Sequence, residues 1–207
     1  MSKSPWSKRE PIPAGRHLED LGHRLDAIDS DVEDLTQGLT PTQLRWRPAP
    51  ERWSIAHCLE HLIQMTDLYE DPVLAGVEGA GREPAPTGEG GRAGGEYAPG
   101  WLGRLLIHLA GPEGKMKLRA PGSLGPPPDV PGRVRERFAT SQEHLRRLLA
   151  GAADCHLVKS RVKHPVVPLL TLGVGETLEM LIAHQRRHLE QARAVRDDAG
   201  FPVSPFG

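Results

Sequence analysis

Two histidines near the end of the chain, His184 and His188, have the spacing of paired metal ligands. Residues four apart lie on the same face of an α-helix, with Cβ atoms roughly 6 Å apart. At that separation two imidazole rings can bind one small cation without any rearrangement of the backbone. Inward-facing rings need a partner, because a buried polar group without one costs roughly 1–3 kcal/mol. Carbonyl groups, carboxylates or water could be the hydrogen-bond partners of these rings instead of a metal. The spacing alone therefore leaves a metal as one interpretation among several.

The stretch that carries this pair, residues 176–198, has the pattern of an amphipathic helix. Its apolar side chains recur at the i, i+3, i+4 spacing, whereas arginine and glutamate occupy the opposite face. The apolar positions are Leu178, Leu181, Ile182, Leu189, Ala192 and Val195. Both histidines lie at the edge of this stripe, so we expect them to point into the protein.

A second histidine pair with the same spacing, His57 and His61, lies in a predicted helix from Ile55 to about Tyr69. Ser54 precedes this helix and is expected to cap its N-terminus. His61 lies beside the apolar face and is predicted to point inward. His57, one turn earlier, is interpreted as a supporting neighbour or an exposed residue, with a fourth ligand as the alternative. The dipeptide Asp71–Pro72 predicts a break or kink.

Several other residues have side chains suited to chemistry. Cys58 could approach a metal or a thiol substrate, but we interpret it as a small core residue. His164 lies in the loop before the last helix and is expected on the surface. His17 and His23 do not share a helix face, and we interpret them as solvated.

The rest of the chain predicts an all-α fold. Further long helices are expected at residues 16–37 and about 130–150, and a short apolar helix is expected at 101–110. The short helix should pack through its leucines, Leu102, Leu105, Leu106 and Leu109. We see no alternating pair of strands. Four long helices with a long Gly/Pro-rich crossover between the second and third predict a four-helix bundle.

Two segments are expected to lie outside this bundle, which should span residues 15–200. Residues 1–14 are polar and proline-containing, and they are expected to form a flexible N-terminal arm. Residues 76–100 are rich in Gly, Pro and Glu with almost no large apolar side chains, so we expect a mobile insertion.

The composition of the chain limits its expected binding partners and cellular location. The formal net charge of −1 gives no electrostatic basis for binding nucleic acid or an anionic membrane. No apolar run approaches the roughly 18 residues of a membrane span, and the first residues lack the apolar segment of a secretory signal. The two cysteines form no disulfide framework. These features predict a cytoplasmic protein that binds neither nucleic acid nor membrane.

In a helical bundle, metal sites are built from side chains on facing helices. The inward-facing candidates are His61 on the second long helix together with His184 and His188 on the fourth. Three neutral imidazoles with one open position are the arrangement of a catalytic zinc or nickel centre.

Two segments of the chain resemble the DinB-like (DinB/YfiT) superfamily. They are WSIAHCLEHL (53–62), preceded by PAPERWS, and LIAHQRRHLEQARAV (181–195). The resemblance extends from about residue 16 to 198 and is absent from the Gly/Pro-rich insertion. It implies a four-helix bundle with a three-histidine metal site, whose ligands carry over to His61, His184 and His188. Gln191 matches a trailing glutamine of the family, which would support a ligand ring.

The resemblance also implies candidate functions. Family members include transferases and isomerases that use low-molecular-weight thiols, and hydrolases, so we expect a metal-bound thiol or water acting on a small-molecule or thiol substrate. Loops similar to the one carrying His164 pass near the site mouth. Many relatives are dimers, which makes a homodimer possible here. The alternative is a stress-related bundle without catalytic activity, in which the metal is structural or absent.

Overall fold

The computed structural model describes residues 9–80, 95–114, 125, 129–167 and 169–202, and most of these residues are helical. The helices are α1 (Ala14–Thr36), α2 (Pro41–Arg45), α3 (Ile55–Ala80), α4 (Trp101–Ala110), α5 (Val134–Ala152) and α6 (Val174–Arg196). The strands are β1 (Ile12–Pro13), β2 (Glu96–Tyr97), β3 (Arg161–Lys163) and β4 (Thr171–Gly173). The largely helical content agrees with the predicted all-α class. Within the described residues, no helix is long and apolar enough to span a membrane.

The strands form two short antiparallel pairs, so the expectation that the chain has no strand pair was wrong. β1 pairs with β2 through Ile12 and Tyr97, and β3 pairs with β4 through Val162 and Leu172. Strands of two or three residues are too short for an alternating pattern to appear in the sequence. The first pair also joins part of the predicted flexible arm to residue 97, and the remainder of that arm, residues 1–8, lies outside the described residues.

The predicted break at Asp71–Pro72 does not occur, because α3 continues through Pro72 to Ala80. A proline inside a helix removes one hydrogen bond and costs about 3 kcal/mol. Burial offsets this cost, since Tyr69 and Val73 on either side of the proline are almost fully buried. The start of the predicted insertion is therefore helical, whereas residues 81–94 lie outside the described residues.

The core lies between the four long helices. α3 packs against both α5 and α6, and α1 also packs against both of them. Gly76 near the end of α3 lies so close to Val174 at the start of α6 that a Cβ atom on the glycine would approach the valine side chain to 3.3 Å. His61 near the start of α3 meets His184 at the middle of α6, beyond Val174 along the helix. These two contacts mean that α3 and α6 run antiparallel.

The short helix α4 packs on α6, and of the four predicted leucines Leu106 packs against the core. Its buried residues are Gly103 and Ile107, whereas Leu102, Leu105, Leu106 and Leu109 are only partly buried. A Cβ atom at Gly103 would lie 2.3 Å from Oε1 of Glu176. That carboxylate is buried and accepts hydrogen bonds from the backbone N–H groups of Gly100 and Gly173, each at 2.7 Å. Glu176 therefore joins the starts of α4 and α6, and α4 docks where glycine leaves room for it.

Candidate metal centre

The start of α3 is held by a local hydrogen-bond network around Ser54. Its Oγ atom accepts a hydrogen bond from the backbone N–H of His57 at 3.1 Å, as predicted for an N-cap. The same Oγ lies 2.6 Å from Nδ1 of the His57 ring. This Nδ1 atom also accepts a hydrogen bond from the backbone N–H of Ser54 at 3.3 Å. Both residues are buried. This network fixes the first turn of α3, and His61 lies one turn further along.

Three histidines predicted from the sequence converge between α3 and α6. His61, His184 and His188 each have a ring nitrogen within 4.8 Å of the corresponding nitrogens of the other two. Nε2 of His61 and Nε2 of His184 are 3.0 Å apart. The ring centroid of His188 lies 4.6 Å from the centroid of His61 and 4.5 Å from the centroid of His184. The structure thus brings the three rings to a common point.

The geometry fits a transition-metal ion. With metal–nitrogen bonds of about 2.0–2.1 Å, two ligand nitrogens lie about 3.3 Å apart in a tetrahedral site and about 3.0 Å apart at adjacent octahedral positions. The observed 3.0 Å separation of the two Nε2 atoms is close to both of these values. In addition, Nδ1 of His188 is buried and has no hydrogen-bond partner within the described part of the chain. A donor set of imidazole nitrogens also suits these metals.

Burial keeps two of these rings in the state that a metal requires. It lowers the pKa of His184 to about 3, with the nearby His61 and the Arg187 charge acting in the same direction. Burial also lowers the pKa of His188 to about 2, reinforced by the other two histidines and Arg187 and opposed by a hydrogen bond with Gln191. Because only neutral imidazole binds a metal, both rings are ready to act as ligands at neutral pH.

One aromatic side chain covers the cluster. The indole of Trp53 stacks on the His188 ring, with centroids 5.4 Å apart and an interplanar angle of 18°. It also packs against the His61 ring in a T-shaped arrangement, with ring centroids 5.1 Å apart. Trp53 is half-buried and packs against the hydrophobic core. It therefore shields two of the three histidines from solvent, whereas His184 is partly exposed.

The other candidate residues take different positions. His57 is buried against Ser54 and is not one of the three clustered residues, so the structure does not make it a fourth ligand. Cys58 is a fully buried core residue, as expected, and burial raises the pKa of its thiol to about 12. Gln191 is partly exposed one turn beyond His188 and raises the pKa of that ring through a hydrogen bond, and its supporting role stays a prediction.

His164 is farther from the cluster. Its Nε2 lies 2.9 Å from the hydroxyl of Tyr69. Tyr69 follows His61 by eight residues on α3, which corresponds to about 12 Å along the helix axis. The ring is half-buried, and burial lowers its pKa. The structure therefore gives His164 a contact with the second half of α3 instead of a position beside the three histidines.

The structure also contains a buried polar network that the sequence did not predict. His17, expected to be solvated, is buried and stacks on Tyr97 with centroids 3.8 Å apart. The Tyr97 hydroxyl donates to Oε2 of Glu179 at 3.0 Å, and Arg9 pairs with the other oxygen of that carboxylate. The pairing of β1 with β2 brings Arg9 and Tyr97 together at this network, and contacts between residues so far apart leave no periodic signal in the sequence.

A second group of side chains with metal-binding atoms lies between α3 and α5. Asp67, Glu70 and His144 have ligand atoms within 4.8 Å of one another, and all three are at least partly exposed. Nδ1 of His144 lies 3.1 Å from a carboxylate oxygen of Glu70. This pairing accounts for the contact without any ion.

The fold and the cluster together define a class: a mostly helical protein in which two antiparallel helices bring three histidines to one point. The chain matches the family model of the DinB superfamily over residues 24–192. It therefore belongs to the DinB superfamily, which confirms the resemblance seen in the two histidine-containing segments. No curated protein and no solved structure matches the chain significantly.

Proposed function

We propose that this DinB superfamily protein is a metal-dependent enzyme that acts on a small thiol. His61, His184 and His188 would bind one divalent transition metal, zinc or nickel. The observation that carries the proposal is the convergence of these three side chains within 4.8 Å between α3 and α6. When bound, such a metal acts as a Lewis acid and lowers the pKa of a coordinated thiol or water. The reaction we favour would form a bond between the thiol sulfur and an electrophilic carbon of a second substrate, with loss of the thiol proton and of a leaving group from that carbon.

The number of protein ligands supports a catalytic role. Structural zinc sites are closed by four protein ligands, whereas catalytic sites have three and leave one position for substrate or water. Over the described ranges, neither a cysteine nor a carboxylate joins the three clustered histidines. A position for an external ligand is therefore part of the proposal.

The buried carboxylates support thiol chemistry over hydrolysis. Activation of a water commonly needs a general base within hydrogen-bond reach. Glu60 accepts two hydrogen bonds from Arg137, at 2.6 and 2.8 Å, and Glu176 accepts two from backbone N–H groups. Glu179 is held by Tyr97 and Arg9. Since each of these carboxylates is engaged elsewhere, a thiol is the better candidate, because it is far more acidic than water and depends less on a general base.

The remaining roles follow from the positions of the side chains. Ser54 fixes the first turn of α3 and so orients His61. Trp53 covers His188 and His61, which excludes water from that side and favours neutral imidazoles. The hydrogen bond of Gln191 with His188 would help to orient this ring.

We also infer that α1, α3, α5 and α6 form a four-helix bundle. The contacts of α3 and of α1 with both α5 and α6 support this interpretation. The Gly/Pro-rich residues between α3 and α5 would then be its crossover connection. In such bundles, ligands on facing helices form metal sites in the core.

The test begins with tag-free protein, because a polyhistidine tag would bind metal itself. We expect elemental analysis to find about one transition metal per chain. Replacement by cobalt(II) and titration with 2-mercaptoethanol should then produce the near-ultraviolet absorption that thiolate ligands give with cobalt. A full metal content with no response to thiols would refute the proposed enzyme and favour a metal that only ties α3 to α6.

A further inference from the structure

Arg187 lies beside the three clustered histidines. It follows His184 by three residues on α6, so the two side chains are neighbours on the helix surface. Its Nη1 atom donates a hydrogen bond to the carbonyl oxygen of Leu109 at 2.8 Å, near the end of α4. The side chain is half-buried. The guanidinium group is therefore held where α4 ends, one turn from a clustered histidine.

The cluster is accessible from this same side. His61 and His188 are buried and covered by Trp53, whereas His184 is partly exposed. A ligand that approaches the cluster from solvent therefore passes His184, and Arg187 lies beside its path.

Arg187 places a positive charge beside the cluster, because it lies three residues after His184 and directly before His188 on α6. A positive charge at this position would favour a negative charge on a ligand that reaches the cluster. The adjacent Arg186 is directed towards another helix, where its Nη1 atom pairs with Asp31 on α1 at 3.1 Å.

We propose that Arg187 is a specificity residue that binds an anionic group of the substrate. The inference rests on the proposed function, in which a small thiol reaches the histidine cluster. Arginine binds carboxylates through strong, directional, charge-assisted hydrogen bonds. The substrate class is therefore a small thiol that carries a carboxylate a few bonds from its sulfur, so that the sulfur points to the cluster while the carboxylate contacts Arg187.

The experiment compares two thiols that differ only in charge, 3-mercaptopropionate and 3-mercaptopropionamide. Their dissociation constants are measured with cobalt-substituted protein by the near-ultraviolet absorption. The ratio of the two constants is compared between variants, so that the different acidities of the two thiols cancel. We expect Arg187→Gln to reduce the preference for the carboxylate by about tenfold or more, and Arg187→Lys to retain part of it.

Arg186→Gln is the matched control, because it removes one positive charge from the neighbouring position of the same helix. It should leave the preference for the carboxylate unchanged. An Arg187→Gln variant that binds both thiols more weakly by the same factor, or that keeps the full preference, would overturn the inference. A wild-type protein that binds neither thiol would overturn the proposed function and this inference together. Circular dichroism of each variant verifies that the helices are retained.

Discussion

The Nε2 atoms of His61 and His184 lie 3.0 Å apart, although 123 residues separate the two histidines in the sequence. A contact of this kind needs at least one neutral ring, since two imidazolium groups would repel each other. Burial keeps His184 neutral, with its pKa lowered to about 3. The two antiparallel helices thus hold two imidazole nitrogens face to face, and a metal ion bound there would replace this contact with two coordinate bonds.

Removal of either member of this contact should abolish metal binding. We expect His61→Ala and His184→Ala to reduce the metal content of tag-free protein from about one per chain to near zero, because two imidazoles hold a metal far less tightly than three. Elemental analysis after gel filtration provides the measurement. His23→Ala, which removes an exposed histidine from α1, is the control and should retain the metal. Full occupancy in His184→Ala would rule out the proposed ligand set.

The Ser54 cap should affect both stability and the metal. Ser54→Ala removes the acceptor for the His57 N–H at the start of α3, and we expect it to cost about 1–2 kcal/mol of unfolding free energy in urea. Because the same turn orients His61, metal affinity should fall as well.

Thr40→Ala provides the comparison for the Ser54 substitution. Thr40 caps the short helix α2 through the backbone N–H of Gln43 at 3.2 Å. We expect this variant to lose stability by a similar mechanism while metal affinity is unchanged. Equal metal affinity in both variants would show that the start of α3 does not orient His61.

The packing contact between α4 and α6 should not tolerate a methyl group at Gly103. Gly103→Ala would place a Cβ atom 2.3 Å from the Glu176 carboxylate, which two backbone hydrogen bonds hold in place. We expect a loss of about 1–3 kcal/mol, typical of overpacking, in thermal or urea unfolding.

Gly22→Ala is the matched substitution within α1, where a Cβ atom would meet nothing within 4 Å. Alanine is favoured over glycine inside a helix by about 0.5–1 kcal/mol, so this variant should be more stable than the wild type. A Gly103→Ala variant with the same gain would mean that α4 does not pack on Glu176.

His17 should make the protein less stable in mild acid. Burial lowers its pKa in the folded state below 6.5, outweighing the nearby Glu179, while Arg24 and Arg9 lower it further and Asp20 raises it. Below about pH 6.5 the unfolded chain therefore binds a proton that the folded chain does not. The unfolding free energy should decrease as pH falls, by at most about 1.4 kcal/mol per pH unit from this residue.

The measurement compares urea unfolding of the wild type and His17→Gln between pH 7 and pH 5. The stability of the wild type relative to the variant should decrease over this range, because glutamine takes up no proton. His23→Gln, at an exposed position of the same helix, should follow the wild type at every pH. A constant difference between the wild type and His17→Gln would contradict a lowered pKa at His17.

Local patterns in the sequence were sufficient to predict the main helices. The apolar spacing predicted helices over residues 16–37 and 176–198, and the structure has them at Ala14–Thr36 and Val174–Arg196. Ser54 was recognised as a cap because capping depends only on residues within one turn. The inward faces of His61, His184 and His188 could be predicted for the same reason, since helix periodicity relates each ring to its apolar neighbours.

Other features depended on contacts between distant parts of the chain. α3 continues through Pro72 because Tyr69 and Val73 are buried, a gain that local helix preference does not include. His17 is buried because β1 and β2 bring Tyr97 over it. α4 packs through Gly103 and Ile107 because the Glu176 carboxylate occupies the space that a larger side chain would need.

The sequence by itself determined where the long helices lie and that His61, His184 and His188 face inward, because hydrogen bonding and side-chain periodicity within a helix are local. Only the tertiary structure decided that His61 meets His184 and His188, that Trp53 covers His61 and His188, and that Arg187 contacts the end of α4 beside the partly exposed His184. The physical reason is that convergence depends on how α3, α4 and α6 pack, and packing is set by the burial of side chains from all three helices at once.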